Sequence, residues 1–246
     1  SFVQAPDIPP PGLESVELVQ ALVTVGHEAG HLTPGFEPED AAECFGLQHL
    51  SEIAEALGTT PAEGDLLAQF YLDPYARPGK RPAWSLANAG QRTLNWLVHA
   101  PLLFAGNDKA LRLRTQAAIA ETARWLDRNV HRAEDRLAEV AGWSGIVAAG
   151  LLLADGKPRR LYGEAGLAGA LGELVGDDGG VLSRSPLAQI EAIGLLVKLR
   201  ACYAAAGREP QPLLENMLAL LVPPLLALTH GDGSLGSWQG SWADHR

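Results

Sequence analysis

The sequence predicts an all-α protein, and three observations carry that reading. Nearly every apolar run repeats with helical period. Clusters of glycine and proline interrupt those runs at short intervals. Almost no segment alternates with the period of two that a half-buried strand requires; only Val181-Leu182-Ser183 reads as a short extended piece.

Residues 1–12 are proline-rich and expected to be extended. Residues 13–75 read as a small helical segment. Its first helix carries Val16, Leu18, Leu22, Val23 and Val25 on one broad face and stops at Thr33-Pro34-Gly35. A second starts near Pro38-Glu39-Asp40 and reaches Gly58; Thr59-Thr60-Pro61-Ala62-Glu63 then reads as a cap, a first-turn proline and a first-turn acid. Residues 76–83, polar with two prolines and a glycine in Arg77-Pro78-Gly79-Lys80-Arg81-Pro82, are the linker. Beyond it, helices are expected over roughly 86–104, 108–128, 132–153, 158–175, 187–206 and 211–229. The stretch from Met217 to Leu228 reads as a buried helix kinked by Pro223-Pro224. Small residues such as Ala148-Ala149-Gly150 allow helices to pack closely, and short loops join them antiparallel; a bundle and an α/α toroid both satisfy this pattern.

Hydrophobic residues make up 47% and charged residues 20% of 246, ample for a core. A net charge of −10 argues against nucleic acid and anionic membranes as partners, since both would be repelled. An anionic ligand needs a local basic cleft. Cys44 and Cys202 match no metal or redox spacing and read as buried free thiols. The start, Ser-Phe-Val-Gln-Ala-Pro, has neither the basic region nor the apolar run of an export signal. Gly176-Asp177-Asp178-Gly179-Gly180 reads as a turn, and Arg159-Arg160 as a solvated helix start.

Four stretches share a resemblance: PAWSLANAGQRTLNWLVHAPLL (82–103), GEAGLAGAL (163–171), DDGGVLSRSP (177–186) and THGDGSLGSWQG (229–240). In order and spacing they resemble the heparinase II/III family of polysaccharide lyases. The resemblance implies an incomplete (α/α) toroid over 84–246 and an acidic oligosaccharide as partner. Active members remove a C5 proton beside a uronate carboxylate, using a tyrosine as base or acid and Asn or His to neutralise the carboxylate. This chain departs from that pattern. Ser185-Pro186 is followed by Leu187, Ala188 and Gln189, where active lyases carry a Tyr-His pair, and no Asn-His pair heads the helix that leads to Ala148-Ala149-Gly150. The remaining cleft candidates are Arg92, Trp96, His99, Trp143, Arg184, His230 and Trp238, because aromatic rings stack on sugar faces and guanidinium groups grip carboxylates. Arg184 and His230, both in turn-rich segments, lead that set.

A different signature lies near the N-terminus. His27-Glu28-Ala29-Gly30-His31 is an HExxH sequence on an expected helix, which puts both imidazoles on one face for a zinc ion, with Glu28 beside a metal-bound water as general base. Residues 27–50 resemble zinc peptidases of the gluzincin type, and that resemblance implies Glu39 or Glu43 as third ligand. No substrate-binding edge strand precedes the motif. The alternative function is therefore a zinc metallopeptidase-like protein, and a third is a helical scaffold without a site.

Overall fold

A computed structural model describes residues 78–79, 84–104, 108–154, 156–231, 233–236 and 239. The expected N-terminal helices and the HExxH segment lie outside the described residues.

The helices fall where the periodicity places them. Helix α1 spans Leu86–Val98 and a single turn, α2, spans Ala100–Leu103; α3 is Lys109–Asn129 and α4 Arg136–Leu152. Then come α5 (Lys157–Leu174), α6 (Pro186–Ala205) and α7 (Pro212–Leu228). Side-chain caps set several starts: Ser85 accepts from Asn88 N–H, Asp108 from Ala110 and Leu111, Asp135 from Ala138, and Ser185 from Ala188. Pro186 and Pro212 then open their helices at a position where a missing N–H costs nothing.

Two boundaries differ from expectation. The helix expected over 86–104 divides at His99, because Pro101 has no N–H to continue the ladder and its ring disfavours helical geometry before it. The helix expected from 132 begins at Arg136; Val130–Arg132 is instead a 3-10 turn, and extended backbone at Ala133 and Asp135 separates the two.

Helix α4 is the hub, with α1, α3, α5 and α6 packed around it and α7 packed on α6. Every residue from Val140 to Gly150 is buried. The approach of α1 to α4 is close enough that a Cβ on Gly90 would stand 2.3 Å from the Ala141 carbonyl oxygen, so only glycine fits. Helix α5 returns antiparallel to α4, placing Gly150 against Arg160 and Gly166 against the Trp143 ring. Helix α7 is antiparallel to α6, with Gln189 bonded to Leu221 and Arg200 paired with Glu215. Antiparallel pairs wrapped in sequence are the architecture of an open α/α toroid. Among the described residues the only extended pairing is two isolated bridges, Val175 with Val181 and Thr229 with Leu235.

A buried polar hub joins α5, α6 and the start of α7. The Glu164 carboxylate accepts from Arg160 at 2.6 Å, Tyr203 Oη at 2.6 Å and Gln211 Nε2 at 2.7 Å. Burial, then Glu164 itself, holds the Tyr203 phenol well above its ordinary range. Cys202 is a buried free thiol, as expected, and burial pushes it up to about 12. Cys44 lies outside the described residues.

Two expectations are corrected. The stretch Met217–Leu228 stays helical through Pro223-Pro224 but is not buried: only Leu218 and Leu221 within it are, and Leu226 is 66% exposed. The helix presses one face on α6 and leaves the other bare. Arg159 and Arg160 are not a solvated pair; each is largely buried and ion-paired, Arg159 with Asp127 at 2.8 Å and Arg160 with Glu164.

Candidate functional site

The segment between α5 and α6 forms a tight turn. Val175 bridges Val181, Gly176 N–H donates to Gly180 O, Gly179 N–H to Gly176 O, and Leu182 N–H to Leu174 O. Gly179 has φ 78°, and a Cβ there would stand 2.1 Å from the Leu220 carbonyl oxygen of α7. Asp178 closes the turn by accepting from Gly180 N–H at 3.1 Å and from Arg184 at 2.6 Å. The Arg184 hydrogen bond, followed by that from Gly180, holds the Asp178 carboxyl below its usual range. The segment is thus the expected turn.

Gln189 locks this turn to its surroundings. Its side-chain oxygen accepts from Val181 N–H at 2.7 Å, and its nitrogen donates to Gly179 O at 2.9 Å and Leu221 O at 2.7 Å. It lies one turn into α6, where it ties the hairpin, α6 and α7 together. Sequence reasoning counted Gln189 only as a departure from the lyase pattern. Its structural use was not visible because all three partners are backbone atoms remote in sequence.

The same turn recurs after α7. Thr229 bridges Leu235, His230 N–H donates to Ser234 O, Gly233 N–H to His230 O, and Gly236 N–H to Leu228 O. Each bond matches one in the first turn under a constant shift along the chain, and Gly233, like Gly179, has positive φ. The chain therefore repeats one unit, a helix followed by an Asp-Gly turn. The sequence signal is Asp178-Gly179-Gly180-Val181 beside Asp232-Gly233-Ser234-Leu235.

The sequence-derived site residues fall in three places. Arg184 and His230 belong to the two turns, both exposed; Arg184 adopts φ 58° and borders a hollow of about 270 Å³ together with Asp178, Gln189 and Pro224. Arg92 and Trp96 lie in the interior of α1, each 0% exposed, with the Arg92 guanidinium 4.7 Å from the Trp84 ring centre and 6.0 Å from that of Trp96. His99, half-buried, ends α1 and donates its backbone N–H to Asn95 O. Trp143 is buried in α4, 5.0 Å from the Tyr162 ring, and its indole N–H donates to Glu139 at 3.3 Å. Two unanticipated residues complete that cluster: His131 Nε2 and Tyr162 Oη are 2.9 Å apart and both exposed. Trp238, and the zinc set of His27, Glu28, His31, Glu39 and Glu43, lie outside the described residues. Among the described residues no three His, Cys, Asp or Glu side chains gather as metal ligands, and no helix is long and apolar enough to cross a membrane.

Comparison with known proteins agrees with the helical arrangement. A solved structure of a heparinase III gene product with methylated lysines superposes with a TM-score of 0.56 at 14% identity, over 96% of this chain and 44% of that one. No protein-family model and no curated protein matches the chain. The likeness is one of fold: the protein has a distant heparinase-like, all-α toroid fold, and the chain spans less than half the length of that structure.

Proposed function

We propose that this chain is a carbohydrate-interacting, heparinase-like domain that holds acidic oligosaccharides at its turn-bearing end and does not cleave them there. The observation that carries the reading is Arg184. Its backbone sits at φ 58°, a conformation costly for any residue with a Cβ, and strain retained in this way is a mark of functional positions. Its guanidinium is exposed beside the N-terminus of α6, a 20-residue helix whose dipole favours an anion at that end. Asp178 holds the guanidinium in place, and a uronate carboxylate would share or displace that contact.

Elimination requires a base near the C5 proton and a neutral partner for the carboxylate. The positions after Ser185-Pro186 supply Leu187 and Ala188, which have neither capacity, and the Gln189 amide is committed to three backbone groups. Binding without chemistry is what these side chains support.

The reading is tested by titrating the protein with uronate oligosaccharides and with neutral ones of equal length. Uronate binding that weakens with salt and falls about tenfold in Arg184→Ala, the scale of one lost charge-assisted contact, is the expected result. Equal binding of the neutral sugar, or indifference to Arg184→Ala, contradicts it.

A further inference from the structure

The charge of this chain is divided at one point. Residues 1–76 contain thirteen Asp and Glu and no Lys or Arg, whereas residues 77–246 contain sixteen Asp and Glu and all nineteen Lys and Arg. The side-chain charge is therefore −13 before Arg77 and +3 from Arg77 onward. Oppositely charged parts of one chain attract, most strongly where the positive part concentrates its cations. That place is helix α3, which carries Lys109, Arg112, Arg114, Arg124 and Arg128 against Glu121 and Asp127. Asp127 is turned to Arg159 of α5 at 2.8 Å. Glu121 serves both Arg124 at 2.7 Å and Arg128 at 3.7 Å, and those two guanidinium groups are 53% and 61% exposed. The outer face of the same helix also bares Leu113, 67% exposed, and Ala117. Cations around an exposed leucine and a small residue make a face that an acidic, amphipathic helix can cover.

The chain itself leads the acidic segment to this face. Gly79 lies against the Trp84 ring, where a Cβ would stand 3.6 Å from Cδ1, and Trp84 meets the Trp125 ring of α3 edge-on at 5.5 Å. Trp125 adjoins Arg124 in sequence and lies one turn from Arg128. Residue 76 is three residues from Gly79, a reach of at most about 10 Å. The acidic segment is thus tethered beside the arginines, at an effective concentration that a separate partner does not match. The helix that the sequence predicts after Pro61 carries Glu63 and Asp65, precedes Asp73, and places Leu66, Leu67 and Phe70 on one side. Its dozen or so residues span about 18 Å, the separation of Trp125 from Leu113 along α3.

We infer that the acidic segment of this chain, residues 13–75, which lies outside the described residues, docks on the arginine-bearing outer face of α3. Its carboxylates neutralise Arg124 and Arg128, and its apolar side chains cover Leu113. The assignment is independent of the sugar reading, since α3 and the Asp-Gly turns share no residue.

The test uses the full chain and a carbodiimide, which joins a carboxylate to an amine in direct contact with it. Residues 13–75 hold carboxylates and no lysine, so a link between them and an amine on α3 reports the contact. Arg128→Lys supplies that amine one turn from Trp125, and Arg208→Lys supplies one in the exposed loop between α6 and α7 as the control. The expected result, read by mass spectrometry of the monomer, is a link from position 128 to residues 13–75. It should be at least about fivefold more abundant than from position 208 and fall at least about threefold in 0.5 M salt. Arg124→Glu with Arg128→Glu should speed cleavage within residues 13–75 by a glutamate-specific protease at least about fivefold over wild type, while Arg124→Lys with Arg128→Lys should not. Thermal melting confirms that each variant is folded. No link, equal links from the two positions, links confined to dimers, or cleavage unchanged by the charge reversal would each overturn the assignment.

Discussion

The two Asp-Gly turns share a hydrogen-bond pattern and differ in what surrounds them. In the first, Gly179 touches the Leu220 carbonyl and Gln189 stitches the turn to α6 and α7. In the second, a Cβ on Gly233 would meet nothing within 4 Å. Local sequence sets the turn, through a glycine free to take positive φ and the bonds that follow from it. Tertiary packing decides how much stability depends on it. Pro223 and Pro224 contribute: neither donates an N–H, so the carbonyls of Ala219 and Leu220 lose their usual helical partners, and the first turn packs against that weakened stretch.

The largest effect that would break this contrast is Gly179→Ala. The methyl group would collide with backbone and hold positive φ as well, at a cost of about 3 kcal/mol or more. Urea unfolding measures it, and a cost under about 1 kcal/mol would contradict the packing described. Gln189→Leu should follow at about 2–3 kcal/mol, because it leaves a buried N–H and two carbonyls without their partner. Gly233→Ala should cost only the conformational strain, about 1 kcal/mol. If the two glycine variants melt at the same temperature, the turns are equivalent and the contrast fails.

The smallest effect concerns Arg184. Arg184→Gly relieves the positive φ and should leave stability unchanged or slightly raised, while oligosaccharide binding falls as it does in Arg184→Ala. The Asp178–Arg184 pair also has a pH signature. The Asp178 carboxyl is lowered in the folded protein, chiefly by the Arg184 hydrogen bond, so its contribution is present above the unfolded value of about 4 and is lost as pH falls through the folded one. The melting difference between wild type and Arg184→Ala should therefore be small, present at neutral pH and absent in strong acid.

Much of the described fold was legible in the sequence because it rests on local signals. Helical periodicity and the glycine and proline breakers place the helices to within a few residues, and the caps Ser85, Asp108, Asp135 and Ser185, which the structure adds, fix where four of them start. What was not legible rests on contacts between distant residues. The exposure of the Met217–Leu228 helix depends on which neighbours it has, and its apolar composition alone suggests burial. Arg159 and Arg160 read as solvated until Asp127 and Glu164 are brought to them by the fold. The site was legible in part. Arg184 and His230 sit on the paired turns, whereas Arg92 and Trp96 are enclosed, because an arginine flanked by tryptophans can be held in the interior by ring stacking as readily as it can face a cleft.

The most direct measurement is a calorimetric titration of the protein with acidic oligosaccharides, run beside an ultraviolet assay for unsaturated uronate in the same mixture. Saturable binding with no growth in ultraviolet absorbance is the predicted result. Formation of the unsaturated product would show that elimination occurs without the side chains it is held to need, and absence of binding would leave the heparinase-like fold without the proposed ligand.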